Sequence, residues 1–600
     1  MSRFSSDGMS GSFVLSRRRF LAATSALSAS AALAACGGSS ATDTPKPAAG
    51  ATTAPATGAS TSAPAASSAA PPAATTGVAS SAAGGATPAA AAATKPAAAT
   101  GKKGGTLIVA SQADAETLDP HITTALRATY YLQLLHDNLI NRDFDGSFKP
   151  NLAESWTVSP DGLTYTFKLR KDVKFHSGKA FTSADVKYTY ERWQKTDKSP
   201  TSYTIKPITS IEAPDPQTVV FKLDKPYNIL LDQIAGSYGV ILNQDVVEKA
   251  GKDYGVTVAD GTGPYKFKEW TRQQKFVVER NPDYAWAGPV FQNQGPAYLD
   301  GVEFRIIPEA ATLVAEFEAG NAHVTRDLPA QDVERLTKGD KVTVVKFNQL
   351  QTTYFGLNTK KAPVDDVIVR RAIGHAINRD EIVKGAYFGL GQPAINMLSE
   401  QTPGYWPGVK GIAATFDLEK AKSTLDQAGW KPGAGGIREK NGQQLVVPFW
   451  YINGSSTVLM AQILEQQLGK AGIKLDSKPY EETAWFAAAR SGEQVGYTVG
   501  VFYENADVLR FYFLSTNQPA PNRFGWNNPE MDKQLQDSLS NPDKAAVLKD
   551  YEAIQKTLAE QAPALPLIHE QGTVGVNKKV QGVKVHPSRW LYRMLDLSLS

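Results

Sequence analysis

Catalysis or metal binding would use histidine, cysteine, serine or carboxylate side chains. The spacing of these residues in the sequence favours neither a catalytic site nor a metal site. The seven histidines include no pair at i, i+4 and no His-x-His, the spacings that place two imidazoles on one ion. The sequence has no G-x-S-x-G and no H-E-x-x-H motif. The acid pairs Glu481-Glu482 and Asp365-Asp366 suit helix starts. We therefore expect no metal, cofactor or enzymatic reaction, with a secreted hydrolase as the alternative.

Side chains that suit ligand binding occur in two parts of the chain, at residues 503–505 and at residue 112. Tyr503, Glu504 and Asn505 combine an aromatic ring, a carboxylate and an amide, a set that suits a sugar. Gln112 follows a short apolar run at 105–110, which is typical of a buried strand. Because clefts lie at the ends of such strands, we include Gln112 among the candidate ligand-binding residues.

Trp485 and Arg490 lie on a predicted helix that precedes this stretch. Arg490 could bind a ligand carboxylate through two parallel hydrogen bonds. The alternative is a solvated helix residue, and Trp485 could equally belong to the core. Both are candidate binding residues at this stage.

The only cysteine, Cys36, ends an apolar run near the N-terminus and cannot form an internal disulfide. Arginines at 17–19 form a basic n-region, and residues 20–32 form an apolar segment too short to span a membrane comfortably. After Cys36, Ala, Thr, Ser, Pro and Gly dominate, a composition that cannot build a core. We predict an export signal over 1–35 and a disordered tether over 36–103, with a reach of roughly 40–50 Å.

The rest of the chain, from residue 104 to residue 600, is too long for one core and predicts at least two lobes. The 63 basic and 59 acidic residues of the whole chain are interspersed, so no basic stripe favours nucleic-acid binding. No further apolar stretch is long enough to span a membrane. The 22 tyrosines and 10 tryptophans suit a core and, in addition, a ligand cleft.

Capping residues and hydrophobic periodicity predict interleaved helices and strands, hence a mixed α/β fold. Thr182 with Asp185, Asn378 with Glu381, and Asp417 each mark a helix start. Further helices are predicted at 125–140, 367–377 and 458–468, and strands at 105–110, 164–169, 218–223, 261–267, 275–279, 354–358 and 473–475.

Leu33-Ala34-Ala35-Cys36 resembles the lipobox of bacterial lipoproteins. The resemblance implies cleavage before Cys36, acylation of its thiol, and a protein anchored at the outer face of the cytoplasmic membrane, at the cell surface or in the periplasm. The alternative is a plain signal peptide. Ser16-Arg-Arg-Arg-Phe-Leu21 also resembles the twin-arginine export motif, with an ordinary basic n-region as the alternative.

The region 152–193 resembles the signature of bacterial extracellular solute-binding proteins of the peptide/nickel type (family 5), which serve ABC importers. The likeness covers nearly all of 104–600, with several motifs in family order. The matching motifs are Leu152-Ala-Glu-Ser-Trp156, Asp161-Gly162, Tyr165-Thr-Phe167, Phe175-His176, Ala184-Asp185-Val186, Gly261-Thr-Gly-Pro-Tyr265, Asn281-Pro-Asp-Tyr284 and the blocks that begin at Phe355 and Phe416.

The family implies two α/β lobes of the class II periplasmic-binding-protein type, joined by two hinge strands and closing over a ligand in the cleft. The first crossing is expected near Leu350–Asn358 and the return near Leu565–Gly572. Lobe one would then comprise 104–349 with 570–600, and lobe two 350–569.

The resemblance also implies a ligand site and partners. Asp507 falls where peptide-binding members carry the acid that neutralises the ligand's α-amino group; the alternative is that Asp507 caps a helix beginning at Val508. Phe502 and Tyr503 replace the tryptophan usual before that acid, which weakens the case for a peptide. We therefore expect an oligopeptide, with an oligosaccharide as the alternative.

The implied partners are the permease and ATPase subunits of an importer, and the family is usually monomeric. A surface adhesin or a receptor for a sensor kinase is a further alternative, because a fold does not fix a function.

Overall fold

In the computed structural model, residues 101–197, 199–588 and 591–600 are described. The predicted export signal, Cys36 and most of the predicted tether lie outside the described residues. Within the described ranges, no helix is both long and apolar enough to cross a membrane.

Strands are distributed along the whole described chain. They are β1 (Thr106–Ser111), β2 (Ile140–Arg142), β3 (Phe148–Pro150), β4 (Ala153–Val158), β5 (Thr164–Leu169), β6 (Ile208–Asp215), β7 (Thr218–Leu223), β8 (Tyr265–Thr271), β9 (Lys275–Arg280), β10 (Gly301–Ile306), β11 (Val324–Thr325), β12 (Val342–Leu357), β13 (Gly391–Pro393), β14 (Lys431–Pro432), β15 (Arg438–Lys440), β16 (Gln443–Gln444), β17 (Val446–Ile452), β18 (Lys474–Tyr480), β19 (Gly496–Phe502), β20 (Ala564–Asn577), β21 (Val580–Gln581) and β22 (Ser598–Leu599).

Helices alternate with these strands. They are α1 (Leu126–Leu135), α2 (Ser183–Lys195), α3 (Leu230–Ala235), α4 (Gln244–Ala250), α5 (Ala310–Ala319), α6 (Ala330–Lys338), α7 (Val367–Ala376), α8 (Arg379–Ala386), α9 (Leu418–Gln427), α10 (Ser455–Lys470), α11 (Glu482–Ala489), α12 (Val508–Phe513), α13 (Pro529–Ser540) and α14 (Lys544–Gln561).

Half of these strands belong to one large mixed sheet, in the order β18-β17-β19-β12-β20-β11-β1-β10-β9-β8, with β13 on β20. Its two longest strands, β12 and β20, pair antiparallel in two stretches. The register shifts between Asn348 and Thr352, where the ladder is interrupted. A separate four-stranded sheet has the order β4-β5-β7-β6. The long pair therefore connects the two ends of the large sheet.

Separate hydrophobic cores lie at those two ends. One core gathers residues from 107 to 304 together with Val574 to Leu597, and we call this part lobe one. Two further cores gather residues between Tyr354 and Ile568, and we call this part lobe two. The lobe boundaries expected from the family, at 349/350 and 569/570, fall inside β12 and β20.

The predicted helix starts are confirmed, and their caps are visible. The Asp185 carboxylate accepts a hydrogen bond from the Thr182 backbone N–H at 3.0 Å. Asn378 accepts from two backbone N–H groups of α8, and Asp417 accepts from the Lys420 N–H at 2.9 Å. These side chains supply acceptors that the first turn of a helix lacks.

The predicted helix over 125–140 is wrong at its C-terminal end, because α1 stops at Leu135. His136 adopts an extended backbone, and Asn138 pairs with Val240 in a β-bridge instead. The apolar spacing continues past the helix because this segment is also buried.

The predicted strand over 261–267 is wrong at its start, because β8 begins only at Tyr265. A Cβ on Gly261 would lie 2.1 Å from the carbonyl oxygen of Leu135. Gly261 and Gly263 thus allow a loop to pack directly on the end of α1. No larger residue would permit this close approach.

Candidate functional site between the lobes

A cavity of about 660 Å³ lies between the two lobes. Lobe one contributes residues 124–129, 200–204, 227–238 and Arg326, and lobe two contributes 502–512. The volume falls within the range of about 300–1,000 Å³ typical of small-ligand pockets. A ligand enclosed here would contact both lobes at once.

Aromatic rings form much of the cavity wall. Two of them are unusually accessible for large aromatic side chains: Tyr203 is 48% exposed and Phe502 is 58% exposed. The remaining aromatic wall residues are Tyr227, Tyr238, Tyr503, Phe511 and Tyr512. Such rings offer apolar contact area with few rotatable bonds, so they suit the side chains or faces of an organic ligand.

Glu504 provides the carboxylate that is free for a ligand. It lies in the loop between β19 and α12, and its side chain lines the cavity. Among the described residues it enters no ion pair and no hydrogen bond. The Glu504 side chain is half-buried, and the nearby Arg142, whose pKa Glu504 helps to raise, forms its ion pair with Asp232 instead. Glu504 is therefore available to an ammonium group of a ligand.

Asp507, three residues further on, already has a cationic partner. Arg510 donates two hydrogen bonds of 2.7 Å, from Nε and Nη2, to the two carboxylate oxygens of Asp507. Burial raises the pKa of Asp507, and the Arg510 guanidinium opposes that rise. Although Asp507 precedes α12, its side chain makes no capping hydrogen bond to that helix. Asp507 lines the cavity as half of an ion pair.

The opposite wall carries a second neutralised acid. Asp232 of lobe one is ion-paired to Arg142, and the side chain of Asn505 of lobe two hydrogen-bonds to the same carboxylate. Burial raises the pKa of Asp232, and these two partners lower it. The bond to Asn505 joins the lobes directly beside Glu504.

Arg326 supplies the cation that is free for a ligand carboxylate. Its guanidinium donates to the hydroxyl of Tyr130 and, at 2.5 Å, to Oε1 of Gln349. Both acceptors are neutral, and no carboxylate pairs with Arg326 among the described residues. The cavity therefore presents one free anion and one free cation.

Tyr503, Glu504, Asn505 and Asp507, four of the predicted binding residues, line this cavity. The Tyr503 ring also has a structural role, because its hydroxyl accepts from the Ser399 backbone N–H at 2.9 Å.

The other three predicted residues lie away from the cavity wall. Trp485 is fully buried in a lobe-two core and packs on Tyr497. Arg490 is exposed at the C-terminal end of α11. Gln112 follows β1, but its side chain donates to the Pro308 carbonyl oxygen at 3.4 Å. Core packing and a local loop contact account for Trp485 and Gln112 without a ligand.

Sequence reasoning missed the lobe-one wall, namely Tyr203, Tyr227, Asp232, Tyr238 and Arg326. The first four lie between α2 and α4: Tyr203, Tyr227 and Tyr238 are outside the strands of this region, and Asp232 is on the short helix α3. Arg326 directly follows the short strand β11, as Gln112 follows β1. Because clefts lie at the ends of such strands, the reasoning that selected Gln112 would also have selected Arg326.

A hydrogen-bonded contact holds the lobes together at the rim. The backbone N–H of Asn228 donates to the carbonyl oxygen of Leu539 at 2.8 Å. The side-chain Nδ2 of Asn228 donates to the carbonyl oxygens of Ser538 at 2.8 Å and Asn541 at 2.7 Å. These carbonyls lie at the C-terminal end of α13, where a helix lacks internal donors.

Asn228→Ala is expected to weaken ligand binding roughly 5- to 30-fold, since two side-chain hydrogen bonds are worth about 1–2 kcal/mol together. The loss destabilises only the closed arrangement, so calorimetric titration should show weaker binding at unchanged thermal stability of the unliganded protein. Lys225→Ala, an exposed change in the same loop, is the control. Equal affinities for the two variants would contradict a closing role for Asn228.

The two lobes, the strands β12 and β20 that connect them, and the cavity between the lobes define a two-lobed substrate-binding protein of mixed α/β type. Residues 147–522 match the sequence profile of the bacterial extracellular solute-binding proteins, family 5 middle region. The chain belongs to this family, the substrate-binding proteins of ABC importers, and the predicted family and fold class are confirmed.

Similar proteins cover most of the chain. The oligopeptide-binding protein AppA of Bacillus subtilis (strain 168) is 29% identical over 507 residues, 82% of this chain and 91% of AppA. The glutathione-binding protein GsiB of Escherichia coli (strain K12) is 28% identical over 504 residues, 80% of this chain and 92% of GsiB. The structure of Bacillus subtilis AppA in complex with a nonapeptide matches with a TM-score of 0.71 and 27% identity, covering 84% of this chain and all of that one. These relatives are binding proteins and not enzymes.

Proposed function

We propose that this protein is an extracytoplasmic lipoprotein that captures an oligopeptide between its lobes and delivers it to the permease and ATPase subunits of an ABC importer, acting as a monomer. The observation that carries the proposal is the unpaired Glu504 carboxylate in an interlobe cavity whose other acids, Asp232 and Asp507, are neutralised. A peptide N-terminus supplies the missing cation.

Binding follows from the charges and rings of the cavity. The α-ammonium group donates to Glu504, a carboxylate of the peptide pairs with Arg326, and side chains pack on Tyr203 and Phe502. Because these groups come from different lobes, the ligand makes its full set of contacts only when the lobes are closed. Binding therefore shifts the population toward the closed arrangement, which is the form that an importer would recognise.

An oligosaccharide is the second candidate. The seven aromatic wall residues and the amide of Asn505 favour it, because sugars stack on rings and hydrogen-bond to amides. A neutral sugar would leave Glu504 without a counter-charge, which is why we rank the peptide first.

Native mass spectrometry of the purified protein, combined with a thermal-shift screen of peptides and oligosaccharides, tests the proposal. A co-purified ladder of peptide masses, and a melting temperature that rises with peptide concentration, are the expected results. Hexose-spaced masses, or a shift with oligosaccharides alone, would replace the peptide by a sugar. No bound mass and no shift would contradict both ligands.

Cys36→Ala is expected to release the protein from membranes, because the thiol is the proposed site of acylation and lipid chains provide the anchor. Fractionation of cells by ultracentrifugation should move the variant from the pellet to the soluble or secreted fraction. Ser39→Ala, a nearby change outside the proposed lipobox, is the control. A Cys36→Ala protein that still sediments with membranes would contradict the anchor.

A further inference from the structure

A second cavity, of about 510 Å³, lies beside the first along the same strands. Gln349 and Gln351 of β12 line the second cavity, whereas Leu350 between them lines the first. On β19, Thr498 and Gly500 line the second cavity and Phe502 lines the first. We call this second cavity the distal cavity.

Both lobes contribute to the distal cavity, as they do to the first cavity. Leu328 and Ala330 come from the lobe-one side, and Tyr387 and Ile452 come from lobe two. The contact between Arg326 and Gln349 links the two cavities, because Arg326 lines one and Gln349 lines the other. A ligand longer than the first cavity would extend into the distal cavity.

The charge of the distal cavity is entirely negative. Its lining includes Glu570 and Glu482 and no lysine, arginine or histidine. Glu482 is exposed at the start of α11, whereas Glu570 lies on β20 at the hinge. Among the described residues, no ion pair includes Glu570. The distal cavity therefore repels a ligand carboxylate and favours a cation.

Glu570 is held in place by donors that do not neutralise it. The Thr353 hydroxyl donates to Oε1 of Glu570 at 2.5 Å, and the Tyr387 hydroxyl donates to the same carboxylate. Desolvation raises the pKa of Glu570, and these two bonds only partly oppose it. The carboxylate is thus oriented but lacks a counter-charge, a costly arrangement that a cationic ligand would relieve.

Two features of β19 concern the space near Glu570: the unpartnered hydroxyl of Thr498 and the close packing of the Gly500 backbone. Thr498 is 2% exposed, lines the distal cavity, and its hydroxyl has no hydrogen-bond partner. Gly500 has no side chain, and a Cβ there would lie 3.8 Å from Oε1 of Glu570 and only 2.9 Å from Oγ1 of Thr353. Buried hydroxyls are normally paired, so the Thr498 oxygen is available to a polar group that enters this space.

We infer that the distal cavity selects peptides with a basic side chain, whose cationic group binds Glu570 while the N-terminal ammonium binds Glu504. The inference rests on the proposed function and adds the class of peptide. Glu504 lies four positions after Gly500 along the chain, at most roughly 14 Å away when the chain is extended. A lysine that closely follows the N-terminal residue spans such a distance.

Calorimetric titration with the tripeptides Ala-Lys-Ala and Ala-norleucine-Ala tests the inference, since these peptides differ only in the terminal ammonium of one side chain. The wild-type chain should bind the lysine peptide at least about tenfold more tightly, the ratio expected for one charge-assisted hydrogen bond. Glu570→Gln keeps the shape and removes the charge, so it should abolish this preference while leaving the norleucine peptide within about threefold of wild type.

Two further variants separate the possible outcomes. Glu504→Gln should weaken both peptides alike, and Glu481→Gln, an exposed acid outside the cavity lining, should preserve the preference for lysine. Equal wild-type affinities, or a lysine preference that survives in Glu570→Gln, would overturn the inference and leave the proposed function intact. If neither peptide binds the wild-type protein, the proposed function is contradicted and the inference with it.

Discussion

Replacing Glu504 by glutamine is expected to weaken the binding of an unmodified peptide by about 2–4 kcal/mol, or roughly 30- to 1,000-fold. Glutamine has the same shape but cannot neutralise an ammonium group, so the bound peptide would carry an unpaired charge in the cavity. Neither of the other wall acids can replace it, because Asp232 and Asp507 have arginine partners of their own. Isothermal titration calorimetry with a single peptide measures the effect.

An N-acetylated copy of the same peptide is the matched control. It should bind the wild-type chain weakly, and Glu504→Gln should change its affinity little, because its N-terminus has no charge to lose. If Asp507→Asn abolished binding of the free peptide while Glu504→Gln did not, Asp507 would be the ammonium partner, as the sequence predicted.

Arg593→Met is expected to destabilise the protein by about 3–5 kcal/mol, the cost of leaving a buried charge without its partner. Arg593 forms an ion pair with Asp137, and both side chains are almost fully buried in lobe one. Thr262 donates to Asp137 at 3.0 Å and Trp286 donates to it at 3.2 Å. The pair fastens the C-terminal segment of the chain to the lobe-one core. Denaturant unfolding followed by circular dichroism measures the loss.

Arg335→Met provides the comparison on the surface. Arg335 pairs with Glu318 and Asp332, and all three side chains are at least partly exposed, so the change should cost less than about 1 kcal/mol. Asp137→Asn combined with Arg593→Met should recover part of the lost stability, because no lone buried charge remains. Equal unfolding midpoints for Arg593→Met and wild type would show that the buried ion pair makes no contribution to the stability of the protein.

Local sequence determined the helix starts and most strands. The Asp185 and Asn378 side chains act on backbone N–H groups within three residues, so their effect can be read directly from the chain. The alternation of Tyr165, Phe167 and Leu169 likewise predicts one buried face of β5, and those side chains are buried. The prediction failed where a distant segment imposed the backbone, as at His136 and Gly261.

The motif order determined the family, and with it the two-lobed fold, but the identity of the free charges required the tertiary structure. Sequence position favoured Asp507 as the acid for the ligand, whereas the structure pairs it with Arg510 and leaves Glu504 open. The distal cavity and Glu570 gave no sequence signal, because their walls come from segments far apart along the chain. Which charge is free depends on which partners reach it in three dimensions, and electrostatic energy follows those distances rather than sequence order.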